Sequence, residues 1–226
     1  MSKYLVFGAT GSLGKETVEL LLSAGNRVVT VGRSNQSSCE VSLENPTWVS
    51  DAISDGLIDG IVWAQGVNGA GTVLSTTESE LLAAFEANVV FIQRTLNQLI
   101  SGEALASTTR AVVISSMWQE HARANKFAYL VTKAALSGLV KSIAIDMAPF
   151  GLSINAVLPG VIDTPMTRAN LSSDQIANIE QDTLGGFLAK PIDVAQTISW
   201  LLSKESSGLT SQFITVDNGW TINRHV

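Results

Sequence analysis

The sequence predicts a doubly wound α/β domain, a parallel sheet of about seven strands with helices on both faces. Three observations predict it. Short, nearly unbroken apolar runs rich in β-branched residues alternate with longer amphipathic segments along the chain, as expected of strands covered on both faces and joined by crossover helices. Glycines stand where the first strand candidate passes into the first helix candidate, at Gly8, Gly11 and Gly14. No internal repeat, low-complexity tract or long linker interrupts the alternation, so residues 1–226 read as a single domain.

Taken in order, residues 3–7 form the first strand candidate and 13–24 the first helix, followed by a strand at 27–31. Residues 34–38 are a polar loop, and 39–41 a short strand candidate. A helix over 46–53 is opened by Asn45-Pro46, which puts proline at a plausible first helical position. After the strand at 57–64 comes a long helix over 78–99, whose Thr77 and Glu80 have capping-box spacing. The strand at 110–115, the apolar helix at 128–148 and the strand at 153–158 complete the central part. Beyond it lie helices at 173–183 and 191–202, the latter opened by Lys190-Pro191, and a last strand at 212–216. Sixty-eight residues follow the strand ending at Leu158, too few for a second domain with its own core.

Composition narrows the function. Hydrophobic residues make up 46% and charged residues 15%, enough apolar surface for one core. Fourteen Lys and Arg against 20 Asp and Glu leave a net charge of −6, which argues against nucleic acid and against an anionic membrane surface as partners. The most apolar region, Phe127 to Phe150, is interrupted by Lys133, Lys141 and Asp146, and the run from Tyr4 to Phe7 is too short for a signal-peptide core. Cys39 is the sole cysteine, and His121 and His225 are the only histidines, so neither a disulfide nor a cysteine or multi-histidine metal site is expected. These features predict a soluble, cytoplasmic globular α/β domain without a metal.

Two constellations carry chemistry. In Gly8-Ala9-Thr10-Gly11-Ser12-Leu13-Gly14, glycines between a strand and a helix let backbone approach a dinucleotide pyrophosphate and aim free N–H groups at it. A mononucleotide P-loop fits less well, because Glu16 stands where a magnesium-binding Ser or Thr is needed after Lys15. The second strand runs into Gly32-Arg33-Ser34, with no acidic residue to hold a ribose 2′-hydroxyl and a guanidinium suited to a 2′-phosphate, so NADP(H) is expected in preference to NAD(H). Further on, Tyr129 and Lys133 lie four residues apart in a helical segment and stack on one face. A cation beside a phenol lowers its pKa toward the range useful for proton transfer. Ser116 follows the strand at 110–115, where open α/β sheets bind ligands, and can hold a carbonyl oxygen beside that phenol. Asn88 sits inside a helix where a better helix former is expected.

This set of landmarks resembles the short-chain dehydrogenase/reductase family over nearly the whole chain. The matching pieces come in the family's order: the glycine loop, Asn88, Ile114-Ser115-Ser116, Tyr129-Leu-Val-Thr-Lys133, Asn155-Ala-Val-Leu-Pro159-Gly160, Thr164, and Val216-Asp217-Asn218-Gly219, with Ser116 and Tyr129 13 residues apart. The resemblance implies a Rossmann-like fold and hydride transfer between NADP(H) and a carbonyl or secondary alcohol of a small molecule. It implies Tyr129 as general acid/base, Ser116 polarising the carbonyl, and Lys133 lowering the tyrosine's pKa and binding the nicotinamide ribose. Asn88 would hold a water of a proton relay. It further implies cofactor contacts from Ala64 and Gly66 after the fourth strand, and from Pro159, Gly160, Ile162 and Thr164 on the nicotinamide side. Glu40 and Val41 are the best candidates for an adenine-pocket wall, residues 165–186 for a substrate lid, and Trp118 and Met166 for substrate contacts. A homodimer or homotetramer is expected.

The chain departs from the family pattern in four places. Its glycines are spaced as in the longer-chain branch, and Trp63-Ala64-Gln65-Gly66 replaces Asn-Asn-Ala-Gly. The span from Arg33 to Gly60 is short by about one helix, and Met117-Trp-Gln-Glu-His121 replaces a glycine-containing stretch after the serine. Two other functions compete: a non-catalytic NADP(H)-binding redox sensor, which gains nothing from the tyrosine–lysine pair, and an epimerase or dehydratase, against which the short C-terminal part counts.

Overall fold

Residues 1–32 and 37–223 are described by a computed structural model of the chain. Arg33 and Ser34, the candidate 2′-phosphate ligands, and His225 lie outside the described residues.

The apolar runs become seven parallel strands in the order β3-β2-β1-β4-β5-β6-β7. These are β1 (Lys3–Phe7), β2 (Arg27–Gly32), β3 (Cys39–Glu40), β4 (Ile58–Trp63), β5 (Leu105–Ile114), β6 (Leu152–Pro159) and β7 (Phe213–Val216). Every residue of β1 is buried, because this strand lies mid-sheet between β2 and β4. Alternate side chains then feed two cores. Leu5 and Phe7 face α2 (Thr47–Ala52), α4 (Phe91–Ser101) and α5 (Phe127–Met147); Tyr4 and Val6 face α1 (Ser12–Ser23) and α8 (Pro191–Leu202). Chain direction across the sheet reverses between β1 and β4, so their carboxyl ends open a crevice of the kind in which doubly wound sheets bind ligands.

Four details differ from the sequence reading. The helix expected over 78–99 is α3 (Glu78–Phe85) and α4, separated by a π-helical turn at Glu86–Val90 that contains Asn88. Such a turn carries one surplus residue inside an otherwise continuous helical run, a local phase shift that the capping signals and overall periodicity of 78–99 do not single out. β5 starts at Leu105 rather than 110, with its register against β4 shifting between Ile58 and Gly60; the Thr-rich start reads as a loop. A further short helix, α6 (Pro165–Asn170), is capped by Thr164, and α7 (Ser173–Asp182) by a Ser172–Gln175 capping box. Finally, the 24 residues from Phe127 to Phe150 are long and apolar enough to cross a membrane by length and composition, with mean hydropathy 1.3. Here that helix packs on the sheet, burying Leu136, Val140, Ile143 and Met147 in the larger core.

The short connection between β2 and β4 holds its place by leaning on α4. Trp48 donates its indole N–H to Gln98 Oε1 at 2.9 Å, and Gln98 Nε2 donates to the Ser42 and Leu43 carbonyls.

Candidate active site

The glycine loop is shaped by close backbone approach. Gly8 has φ +74°, and a Cβ there would fall 2.5 Å from the Gln65 nitrogen. A Cβ on Gly14 would lie 2.2 Å from the Gly8 oxygen, whereas one on Gly11 would meet nothing nearer than 3.5 Å, so the loop is tight beneath and open above. Gly11 caps α1 without a side-chain hydrogen bond, and no acidic residue stands in the first turn. Thr10, Gly11 and Ser12 are exposed, with Leu13 half-buried behind them. The end of β4 lies alongside: Ala64 donates its N–H to Phe7 O, and Gly66 faces Asn88 and Lys133.

The catalytic candidates converge at the neighbouring strand end. Tyr129 lies in the first turn of α5 and Lys133 one turn on; Lys133 is buried and its Nζ donates to Ile114 O, the last residue of β5, at 3.0 Å. That ammonium stands 5.6 Å from the centre of the Tyr129 ring. Ser116 follows β5 with extended backbone, accepts from Trp118 N at 3.3 Å and stands close enough to the Tyr129 phenol to act on its pKa. Asn88 accepts from Val67 N at 2.8 Å and donates to Val67 O and Thr132 Oγ1 at 3.1 and 2.9 Å. A Cβ on Gly66 would come within 3.0 Å of Asn88 Oδ1 and 3.9 Å of Lys133 Nζ, so a bare backbone here lets these groups meet.

Burial pushes Tyr129 above the ordinary tyrosine value, with Ser116 pulling the other way. Burial also brings Lys133 down to about 8. With only a carbonyl and a ring face beside the amine, desolvation outweighs the stabilisation of charge.

The loop after β6 completes the floor. Gly160 donates to Val216 O at 2.9 Å, and a Cβ on it would lie 2.5 Å from Asp217 Cβ, so the ends of Pro159-Gly160 and β7 approach only without a side chain. Ile162 is buried and bridges to Ala189; Thr164 spends its hydroxyl on capping α6, accepting from Thr167 N at 3.1 Å. Glu40 is exposed and Val41 half-buried beside Gly32, where Val41 N donates to Gly32 O.

Beyond Ser116 a cavity of about 530 Å³ opens between Trp118, the 121–123 stretch, Val161, Leu171, Trp220 and the α7 side chains Gln175, Asn178 and Ile179. Trp118 and Trp220 meet edge to face at 5.8 Å. Trp118 therefore lines the cavity, while Met166, 65% exposed on α6, is not part of its lining. Trp220 is missing from the sequence-based candidates, although it directly follows the Asp217-Asn218-Gly219 motif.

Among the described residues, the buried side-chain atoms without a hydrogen-bond partner are both amide atoms of Gln65, Nε2 of Gln119 and Nε1 of Trp220. Each of these residues lies just past the carboxyl end of a strand, β4, β5 or β7. Buried polar atoms are rarely left unpaired, and here they mark the rim where ligands bind. With the open glycine cradle and the uncapped start of α1, the residues fit a dinucleotide.

The fold and the comparisons with known proteins make the chain an α/β oxidoreductase acting on a carbonyl or alcohol. The chain belongs to the short-chain dehydrogenase/reductase family, whose NAD(P)(H) cofactor the cradle suits: a family model described as Enoyl-(Acyl carrier protein) reductase matches residues 46–221. The chain is 30% identical over 231 residues to the L-xylulose reductase of Mus musculus, covering 96% of this chain and 95% of that protein. It is 27% identical over 233 residues to the 3-oxoacyl-acyl-carrier-protein reductase FabG of Vibrio cholerae, covering 95% of each. Among solved structures, the ligand-free aldohexose dehydrogenase of Thermoplasma acidophilum superposes with a TM-score of 0.88 at 25% identity, covering 100% of this chain and 96% of that one.

Proposed function

We propose that this chain is an NADP(H)-dependent reductase of a small-molecule carbonyl, with Tyr129 as general acid/base. The observation that carries the reading is the corner itself: a phenol beside Ser116, with a buried lysine one helical turn on, 5.6 Å from its ring centre and tied to the end of β5. The cofactor, when bound, supplies hydride to the carbonyl carbon. Ser116 holds the carbonyl oxygen, and Tyr129 gives it the phenolic proton as the oxygen gains charge. A phenol held above its ordinary pKa stays protonated through neutral pH, which suits proton donation and hence reduction. Oxidation of the alcohol needs the phenolate, so that direction gains as pH rises. Lys133 and Asn88 position the phenol and re-supply the proton.

The cofactor would lie over Gly8, Thr10, Gly11, Ser12, Leu13 and Gly14, along Ala64 and Gly66, and against Pro159, Gly160, Ile162 and Thr164. The absence of an acidic residue at the end of β2, followed by Arg33 and Ser34, supports NADP(H) over NAD(H). Residues 165–186 would close over substrate. Relatives named as reductases of L-xylulose and of 3-oxoacyl groups, and a cyclopentanol dehydrogenase of Comamonas, support the reaction class. We place the enzyme in the cytoplasm as a homodimer or homotetramer.

The test is NADPH oxidation, followed by absorbance, over ketones, aldehydes and 3-oxoacyl thioesters, with Tyr129→Phe beside the wild type. Turnover by the wild type alone supports the reading. NADPH binding with no turnover by either protein across the panel would show a binding protein instead.

A further inference from the structure

We infer that the cavity beside Trp118 and Trp220 selects carbonyl compounds with a flat apolar body ending in a carboxylate, which Arg123 receives. The inference rests on the proposed reading of the Ser116–Tyr129 corner as the place where the carbonyl reacts.

The cavity has the size of a small-molecule site, about 530 Å³. Its walls are mainly apolar: the two indoles with Ala122, Val161, Leu171 and Ile179. The Trp118 backbone N–H donates to Ser116 Oγ at 3.3 Å, so the indole that lines the cavity is anchored two residues from the serine of the proposed reacting corner. Flat apolar bodies are what such an edge-to-face aromatic pair accommodates. The Trp220 indole N–H, buried without a partner, offers one donor along that path.

Charge supplies the other end. No Asp or Glu lines the cavity, although acidic residues outnumber basic ones by 20 to 14 in the chain. Arg123 lines it and, among the described residues, makes no ion pair, whereas Arg27, Arg94 and Arg168 are each paired to a carboxylate. The remaining polar lining, His121, Gln175 and Asn178, bears no negative charge at neutral pH. A guanidinium presents forked donors that match a carboxylate, so a cavity that keeps one arginine unpaired while excluding every acidic side chain is complementary to an anionic end.

The test uses a matched pair of non-reducible probes, 2-naphthoate and 2-naphthamide, titrated calorimetrically into the full chain. The expected result is that the carboxylate binds about tenfold more tightly than the amide, as for one charge-assisted hydrogen-bonded contact. Arg123→Gln should abolish that preference while leaving the amide's affinity unchanged, and Arg123→Lys should restore part of it. Equal affinities for the two probes, a preference that survives Arg123→Gln, or no binding of either probe would overturn the inference. Reduction of 6-acetyl-2-naphthoate by NADPH separates it from the functional reading. A carboxylate preference lost in Arg123→Gln without any turnover would sink the reductase assignment and leave the cavity assignment standing. Turnover without the preference would do the reverse.

Discussion

Two regions of the molecule are held in opposite ways. At the corner where α5 meets the end of β5, the bonds join distant parts of the chain: Lys133 to Ile114, Asn88 to Val67 and Thr132, all of them buried or nearly so. The span 165–186 is stitched mostly to itself. Thr164 caps α6 and Ser172 and Gln175 cap α7; among the described residues its long-range hydrogen bonds gather at the far end, from Asn223 Nδ2 to Asp182 O, from Leu184 N to Asn218 O and from Asn218 Nδ2 to Phe187 O. Its large apolar side chains Met166, Leu184 and Phe187 are more than half exposed. On the proposed function, the comparison teaches that proton transfer would fall to a preorganised corner and choice of substrate to a segment able to rearrange without disturbing it.

The sharpest way to break this division is Tyr129→Phe. It should lower kcat by about a thousandfold, the range of a lost general acid, while the chemical denaturation midpoint stays near that of the wild type. Asn88→Ala attacks the same corner through its scaffold. Stranding Val67 N–H, Val67 O and Thr132 should cost about 3 kcal/mol in urea unfolding, and Asn88→Asp, which keeps the acceptor, should cost less.

Lys133 gives a pH test of its burial. Its folded pKa of about 8 lies below the ordinary 10.5, so between those values the unfolded chain binds more protons and stability rises with pH. Relative to Lys133→Met, the wild type should gain about 2 kcal/mol between pH 7 and pH 9.5, read by urea unfolding at each pH. A flat difference would show that the amine is solvated in solution.

On the other side of the comparison, Ser172→Ala removes only a local cap. It should cost about 1 kcal/mol within the segment. Faster proteolytic nicking between 165 and 186 and a KM raised about threefold should report it, with kcat unchanged. A matching fall in kcat would mean that the segment and the corner are coupled after all.

Much of this was legible because strands and helices carry their burial in their spacing. The continuous apolar runs at 3–7 and 153–158 are strands within a residue of their expected ends, and the four-residue interval from Tyr129 to Lys133 fixes a shared helix face. What spacing does not encode is the path of loops and the strength of desolvation. Trp220 reaches Trp118 because the chain turns after β7, with Asn218 and Gly219 both at positive φ. Gln65 became visible only when its amide proved to be buried and unpaired. The raised pKa of Tyr129 likewise depends on how much water the fold removes from the phenol, which residue types alone do not state.

The π-helical turn at Glu86–Val90 has a consequence for how this chain can change. Deleting one residue there to restore a regular helix would rotate everything after it by about 100° relative to what comes before. Either Ile92, Leu96 and Leu99 would swing off the sheet or Asn88 would leave Val67 and Thr132. Neither half can be re-phased alone, so the surplus residue acts as a ratchet: length changes in this helix are open beyond Ser101 or before Glu78, and closed between them.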